Sequence, residues 1–198
     1  MHRRTPPSDP RPLTGEPLAI DLLNTRWIGS DGPHDLLDSD EGLLVWLTGS
    51  PVAAALDGLS VTVGPGTREP LLRVRDALAA LVRDPGHPAA RRALNEVLSH
   101  GALRRTLTAS GPRSSPEAEP DAWLLAWAAA EDYLRLLEER PDRIRKCASP
   151  ACVLHFYDTS RNGTRRWCSM AGCGNRAKAS RHHARQRAAG PQAGKTGG

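Results

Sequence analysis

Cys147-Ala148-Ser149-Pro150-Ala151-Cys152 and Cys168-Ser169-Met170-Ala171-Gly172-Cys173 hold all four cysteines of this 198-residue chain. Four residues intervene within each pair, and fifteen separate the pairs. That spacing predicts one tetrahedral Zn²⁺ bound by four thiolates. An iron–sulfur site and two disulfides are the alternatives. The gaps do not match the usual ferredoxin runs, and a cytoplasmic chain disfavours disulfides. His155, His182 and His183 are not needed as ligands, because four thiolates already complete the shell. A closed shell makes the metal structural, with no open position for catalysis.

The same stretch is the basic end of an otherwise acidic chain. Residues 1–142 carry 15 Lys and Arg against 21 Asp and Glu, a net of −6. Residues 143–198 carry 12 against the single Asp158, a net of +11. Uniform use of arginine for solubility would not divide the charge in this way. Concentrated positive charge points to phosphate. The 56 residues of this end hold one Phe, one Tyr and one Trp, too few for a substantial core. Metal binding, worth on the order of 10 kcal/mol, can replace it.

Upstream, the pattern is helical. Met1 to Gly15 is proline-rich and reads as disordered. It lacks the apolar core of a signal peptide. No run approaches a membrane span, and the expected location is cytoplasmic. Leu18, Leu22 and Leu23 share a helical face, and Gly29 to Pro33 is a turn. Ser39 caps a helix to about Leu47 with Leu43, Leu44 and Leu47 inward and Trp46 at its edge. A short helical piece over 51–59 precedes the break at Gly64-Pro65-Gly66. Thr67 caps a helix bearing Leu71, Val74, Leu78, Leu81 and Val82, stopped at Asp84-Pro85-Gly86. His87-Pro88 opens another, carrying Leu94, Val97 and Leu98. Leu103 to Thr108 reads as a strand, and Gly111 to Pro120 as a loop. Asp121 to Glu139 is the clearest helix, ended by Pro141-Asp142. The tryptophans of this region are read as packing residues.

In the basic end, Val153 to Asp158 reads as a strand, Asn162-Gly163 as a turn, and Arg165-Arg166-Trp167 as the returning strand. A helix opens at the last cysteine and runs to about Ala189. Turn, hairpin, turn and helix resemble the treble-clef class of zinc folds. The expected fold is mainly α: a multi-helical domain over 16–142, a small β-hairpin-plus-helix finger over 143–189, and a flexible tail over 190–198.

Arg161 to Lys178 closely resembles the CGNR zinc-finger family, with Cys173-Gly174-Asn175-Arg176 as the naming tetrapeptide. Arg166-Trp167-Cys168-Ser169-Met170 fits its pattern, as do Phe156 and Asp158-Thr159-Ser160. Asp21 with Leu22-Leu23-Asn24-Thr25 resembles the opening motif of the putative stress-induced transcription regulator domain that precedes such fingers. The resemblance spans roughly 16–188. It implies DNA binding in bacterial transcriptional control.

The expected nucleic-acid footprint is Arg165, Arg166, Arg176, Lys178, Arg181 and Arg185. Arg181 and Arg185 share a helical face, with Lys178 close to it. Phosphate contact is favoured over base readout. Structural roles are assigned to Gly174 as a tight helix entry, Asn175 as a brace and Trp167 as a packing residue. Arg176 has a structural alternative, bonding finger carbonyls or Asp158. Asp21, Asn24, Thr25 and Arg26 either brace helices, meet the finger or line an effector pocket. Glu131 and Asp132 read as solvated. A small-molecule effector on the helical domain and a homodimer are possible partners. A zinc-ordered protein-interaction adaptor is the competing function. No spacing of acid and nucleophile and no phosphate-binding glycine loop indicates an enzyme.

Overall fold

The computed structural model describes residues 8–49, 51–52 and 66–188. The helical piece expected over 51–59 and the break at 64–66 fall mostly outside them. The described elements run α1 (Leu18–Leu23), β1 (Arg26–Ile28), β2 (Pro33–Asp35), α2 (Asp40–Leu47), α3 (Arg68–Leu81), α4 (Pro88–Leu98), β3 (Gly101–Thr108), β4 (Gly111–Ala118), α5 (Leu124–Glu139), β5 (Ile144–Lys146), β6 (His155–Tyr157) and α6 (Asn175–Ala188). The strands form three separate antiparallel pairs, β1–β2, β3–β4 and β5–β6.

The shortest helix is the hub. All six residues of α1 are buried, and it packs on α3, α5 and β6. Its N-terminus is tied by Asp132, whose Oδ2 accepts from the Ala19 amide at 2.9 Å. Asp132 is therefore a helix-end acceptor rather than a solvated charge, because α5 brings it over the orphan N–H groups of α1. One hydrophobic core runs from Leu18 and Trp46 through Leu71, Leu78 and Leu125 to Leu154 and Phe156. The finger thus shares its core with the helical body.

Ser39 caps α2 as expected, its Oγ accepting from the Gly42 amide at 3.0 Å. Which side of α2 faces inward departs from the expectation. Trp46 is fully buried while Leu44 is 58% exposed. The indole goes inside because Asp21 meets its N–H at 3.0 Å. Thr67 makes no side-chain cap bond to α3, and its hydroxyl is buried without a partner. His87 does cap α4, its Nδ1 accepting from the Ala90 amide at 3.2 Å.

Two segments expected as coil are ordered. Gly111 to Pro120 supplies β4, paired with β3 along eight residues. Its prolines disguised it, but Pro112 and Pro116 have no N–H to donate and a two-stranded ribbon has open edges that tolerate them. Residues 8–15 lie against the body, because Arg11 is buried and bonds Asp21 Oδ1 at 2.8 Å and Asp9 Oδ2 at 2.7 Å. Among the described residues no helix is long and apolar enough to cross a membrane.

Candidate metal centre and nucleic-acid interface

The finger is built by backbone bonds that bring two cysteine turns together. Cys147 follows β5, and its amide donates to Leu154 O at 2.9 Å, closing the first turn against β6. Ala148 donates to Arg166 O at 2.8 Å and so draws in the chain before Cys168. In the second turn Ser169 Oγ accepts from the Gly172 amide at 3.2 Å. Met170–Gly174 then forms a wide π-helical turn that leads into α6.

The four Sγ atoms lie within 4.8 Å of one another, and all four cysteines are buried. Cys152 and Cys168 are 3.8 Å apart, and Cys168 and Cys173 are 3.6 Å apart. A tetrahedron with Zn–S bonds of about 2.3 Å has S···S edges of about 3.8 Å. These two edges match that tetrahedron and the others stay within 4.8 Å, so the cage suits Zn²⁺, and the centre is one structural zinc held by Cys147, Cys152, Cys168 and Cys173. Electrostatics agree. The hydrogen bond from Cys168 pulls Cys152 down to about 5, while the same contact pushes the Cys168 thiol up. Burial raises Cys147. Four thiolates cannot share one buried site without a cation. Even with Zn²⁺ the cluster carries two net negative charges, and Arg176 Nη2 answers them at 3.1 Å from Cys173 Sγ.

The returning strand expected at Arg165–Trp167 is absent; the finger hairpin is β5–β6, with the partner strand before the first turn. The cause is Asp158. This buried carboxylate accepts from the Ser160 amide at 2.9 Å, Ser160 Oγ at 2.6 Å and the Arg165 amide at 3.0 Å. It therefore takes the amide that a ladder would use. Gly163 turns this loop at φ +60°, and a Cβ there would meet the Arg143 guanidinium at 2.9 Å. Arg143 Nη1 in turn binds Asp158 O at 3.0 Å and Ser160 O at 2.6 Å.

Arg165 is expected to face nucleic acid but is turned inward. It donates to Trp167 O at 3.1 Å, Cys168 O at 2.6 Å and Glu16 Oε1 at 3.2 Å. Its guanidinium also stacks 4.2 Å from the Phe156 ring centre. It is a brace. Trp167 is partly buried against the core with Arg166 over its ring at 5.3 Å, as a packing residue would be. Gly174 is explained by space rather than by backbone angle, since a Cβ would lie 2.8 Å from Met170 Sδ. Asn175 is exposed, and its side chain has no partner among the described residues.

Arg166, Arg176, Lys178, Arg181 and Arg185 are all exposed. Apart from Arg176, those on α6 make no ion pair or bond outside their own helix among the described residues. No Asp or Glu occurs from 159 to the end of the chain. Arg166, Arg176 and Arg181 converge with Trp167 on a groove of about 410 Å³ between the first cysteine turn and α6.

The motif near the N-terminus proves to be a set of braces, and it had only its polar character to announce that. Asn24 binds the backbone of His155 twice, Nδ2 to O and Oδ1 to N, each at 2.9 Å. Arg75 Nη1 donates to Thr25 Oγ1 at 2.8 Å and to Asp35 Oδ1 at 2.6 Å. Arg26 joins Asp35 to Asp76.

Two family models match the chain. The CGNR zinc finger covers residues 143–186, and the putative stress-induced transcription regulator model covers 16–140. The chain belongs to the putative stress-induced transcription regulator family. The braces at Asn24 and Thr25 lie within the regulator match, and the cysteine cage within the finger match. No curated protein matches the chain.

Proposed function

We propose that this zinc-binding regulator binds duplex DNA through α6, with Arg166, Arg176, Lys178, Arg181 and Arg185 meeting the phosphates. The observation that carries the reading is a helix with five exposed cations and no carboxylate, rooted at a zinc ligand. A helix of this width enters a major groove. Zinc has a mechanical part only: it fixes where α6 leaves the body. Arg166 approaches from the segment before Cys168, so charge reaches the groove from two elements.

Fluorescence anisotropy on a labelled duplex, with salt varied from about 50 to 300 mM, tests it. Five phosphate contacts give a slope near −4.5 in log K against log salt. Replacing Arg181 and Arg185 together with alanine should reduce that slope by about 2 and weaken all sequences alike. Binding that ignores salt, or a double variant that binds as well as the parent, refutes the proposal.

A further inference from the structure

The β3–β4 ribbon has one edge open and the other blocked. Its base is packed, β3 against α4 and β4 against α5. A Cβ on Gly101 would lie 2.6 Å from the Trp127 ring, so the arm is held at its root. Beyond it, every residue from Ala102 to Thr108 is exposed. The Glu119 amide donates to His100 O at 2.9 Å, and the same register continues through Ala102↔Glu117, Arg104↔Ser115 and Thr106↔Arg113. Hydrogen-bonded pairs alternate along an antiparallel ladder. The even-numbered residues of β3 therefore bond β4, and Leu103, Arg105 and Leu107 turn their N–H and C=O groups outward. On β4 the outward positions include Pro116 and Pro112, opposite Leu103 and Leu107. Proline has no N–H, so that edge cannot carry a regular ladder. The β3 edge can, and among the described residues no further strand lies on it.

The side chains on this edge specify a partner. Alternate residues share a face, so Leu103, Arg105 and Leu107 lie together, beside Pro116, Ser114 and Pro112. Leu103 is 48% exposed and Leu107 84%. Arg105 is exposed and has no ion-pair partner among the described residues. A strand laid alongside is selected by the residues directly opposite these three. The complement is aliphatic, acidic, aliphatic at alternate positions. A second copy of β3 fits poorly. Aligned with Leu103 against Leu107, it sets the Arg105 of each copy against the other, and like charges directly opposite are destabilising. An arm about 27 Å long and two strands wide also offers only roughly 300 Å² of one face, against about 800 Å² per partner in a stable interface. We infer that β3 accepts an extended peptide as a third strand, one that carries a carboxylate with an aliphatic side chain two residues away on either side. The main-chain ladder binds it and Arg105 selects it. The ribbon belongs to the helical body, so this partner site rests on no part of the DNA reading.

The test uses the zinc-loaded full chain and a fluorescein-labelled peptide, Ser-Thr-Val-Thr-Glu-Thr-Val-Thr-Ser, read by anisotropy. It should bind about tenfold tighter than the same peptide with lysine at its centre. Arg105→Glu, at an exposed position, should reverse that preference. A peptide N-methylated at its glutamate keeps the charge but loses a ladder bond, and should bind about tenfold more weakly. Leu107→Pro removes an outward N–H of β3 and should weaken the parent peptide by a similar factor. The inference is overturned if the glutamate and lysine peptides bind alike, if neither binds below about 1 mM, or if the N-methylated peptide binds as well as its parent. It is also overturned if the chain alone sediments as a dimer that Leu107→Pro splits, because a second copy would then occupy the edge.

Discussion

Asn24→Ala should detach the finger from the body at a measurable cost. The Asn24 amide is buried and acts as a third strand beside β6, exchanging two bonds of 2.9 Å with the His155 backbone. The β5 side of the ladder cannot take over, since these two groups point away from it. Alanine removes both bonds and leaves an N–H and a C=O facing a small void. A net hydrogen bond is worth about 1 kcal/mol, and a buried group left unpaired costs about 1–3 kcal/mol. Partial solvent access at His155 lowers the sum, so about 2–4 kcal/mol is expected. Asn24→Asp keeps one acceptor but turns a carboxylate toward a carbonyl, and should cost at least as much. The assay is urea unfolding of the zinc-loaded chain, with zinc content measured alongside. Zinc should stay at one per chain, because none of the four ligands touches Asn24. A loss below about 1 kcal/mol in both variants, with zinc retained, would show that this seam is not held as described.

Cys173→Ser should abolish stoichiometric zinc and unfold the finger, read as metal release to a chelator and loss of tail protection in hydrogen exchange. Because Leu154 and Phe156 belong to the common core, the body's melting temperature should fall as well. Arg75→Ala should cost about 1–3 kcal/mol, since it removes the buried partner that Asp35 meets at 2.6 Å while Arg26 still pairs the carboxylate; a shift in urea midpoint checks it. His155 gives a pH dependence: burial, then Lys146 and Arg83, lower it from 6.5 to about 4. Between those values the unfolded chain binds the extra proton, so stability falls as pH drops from about 6.5 toward 4 and is unaffected above. Relative to His155→Gln, the parent should lose about 2 kcal/mol between roughly pH 7 and pH 5 in unfolding experiments.

The metal cage and the helical body were legible in the sequence because their signals are local. Four cysteines at fixed spacing specify a cage, and Ser39 and His87 specify helix starts. Several departures involve partners far apart in sequence. Trp46 is inside because of Asp21, and Asp132 is a cap because α1 ends above it. The finger hairpin was misplaced because a buried carboxylate at Asp158 bonds the Arg165 amide, and no spacing rule announces that competition. Asn24 could be suspected of meeting the finger, but its partner is a backbone, which leaves no sequence trace. The ribbon strand β4 was hidden by prolines that only an open-edged pair accepts.

The division among the arginines follows from the size of the finger. A core with so few large apolar groups leaves backbone carbonyls and one carboxylate out of water, and each needs a donor. Arginine, with five N–H groups on a planar fork, can serve several at once. Arg143 and Arg165 do this, each bonding at least two carbonyls. Arg176 stands between, turned to a thiolate. Only beyond it does the chain have no carbonyl cage left to brace, and there the cations point outward on an uninterrupted helix. The net charge of +11 therefore overstates the binding surface, and the acid-free run after Asp158 locates it better. Arg143 and Arg165 are turned into the finger and held back from any phosphate, so the salt slope should count α6 and Arg166 but not these two.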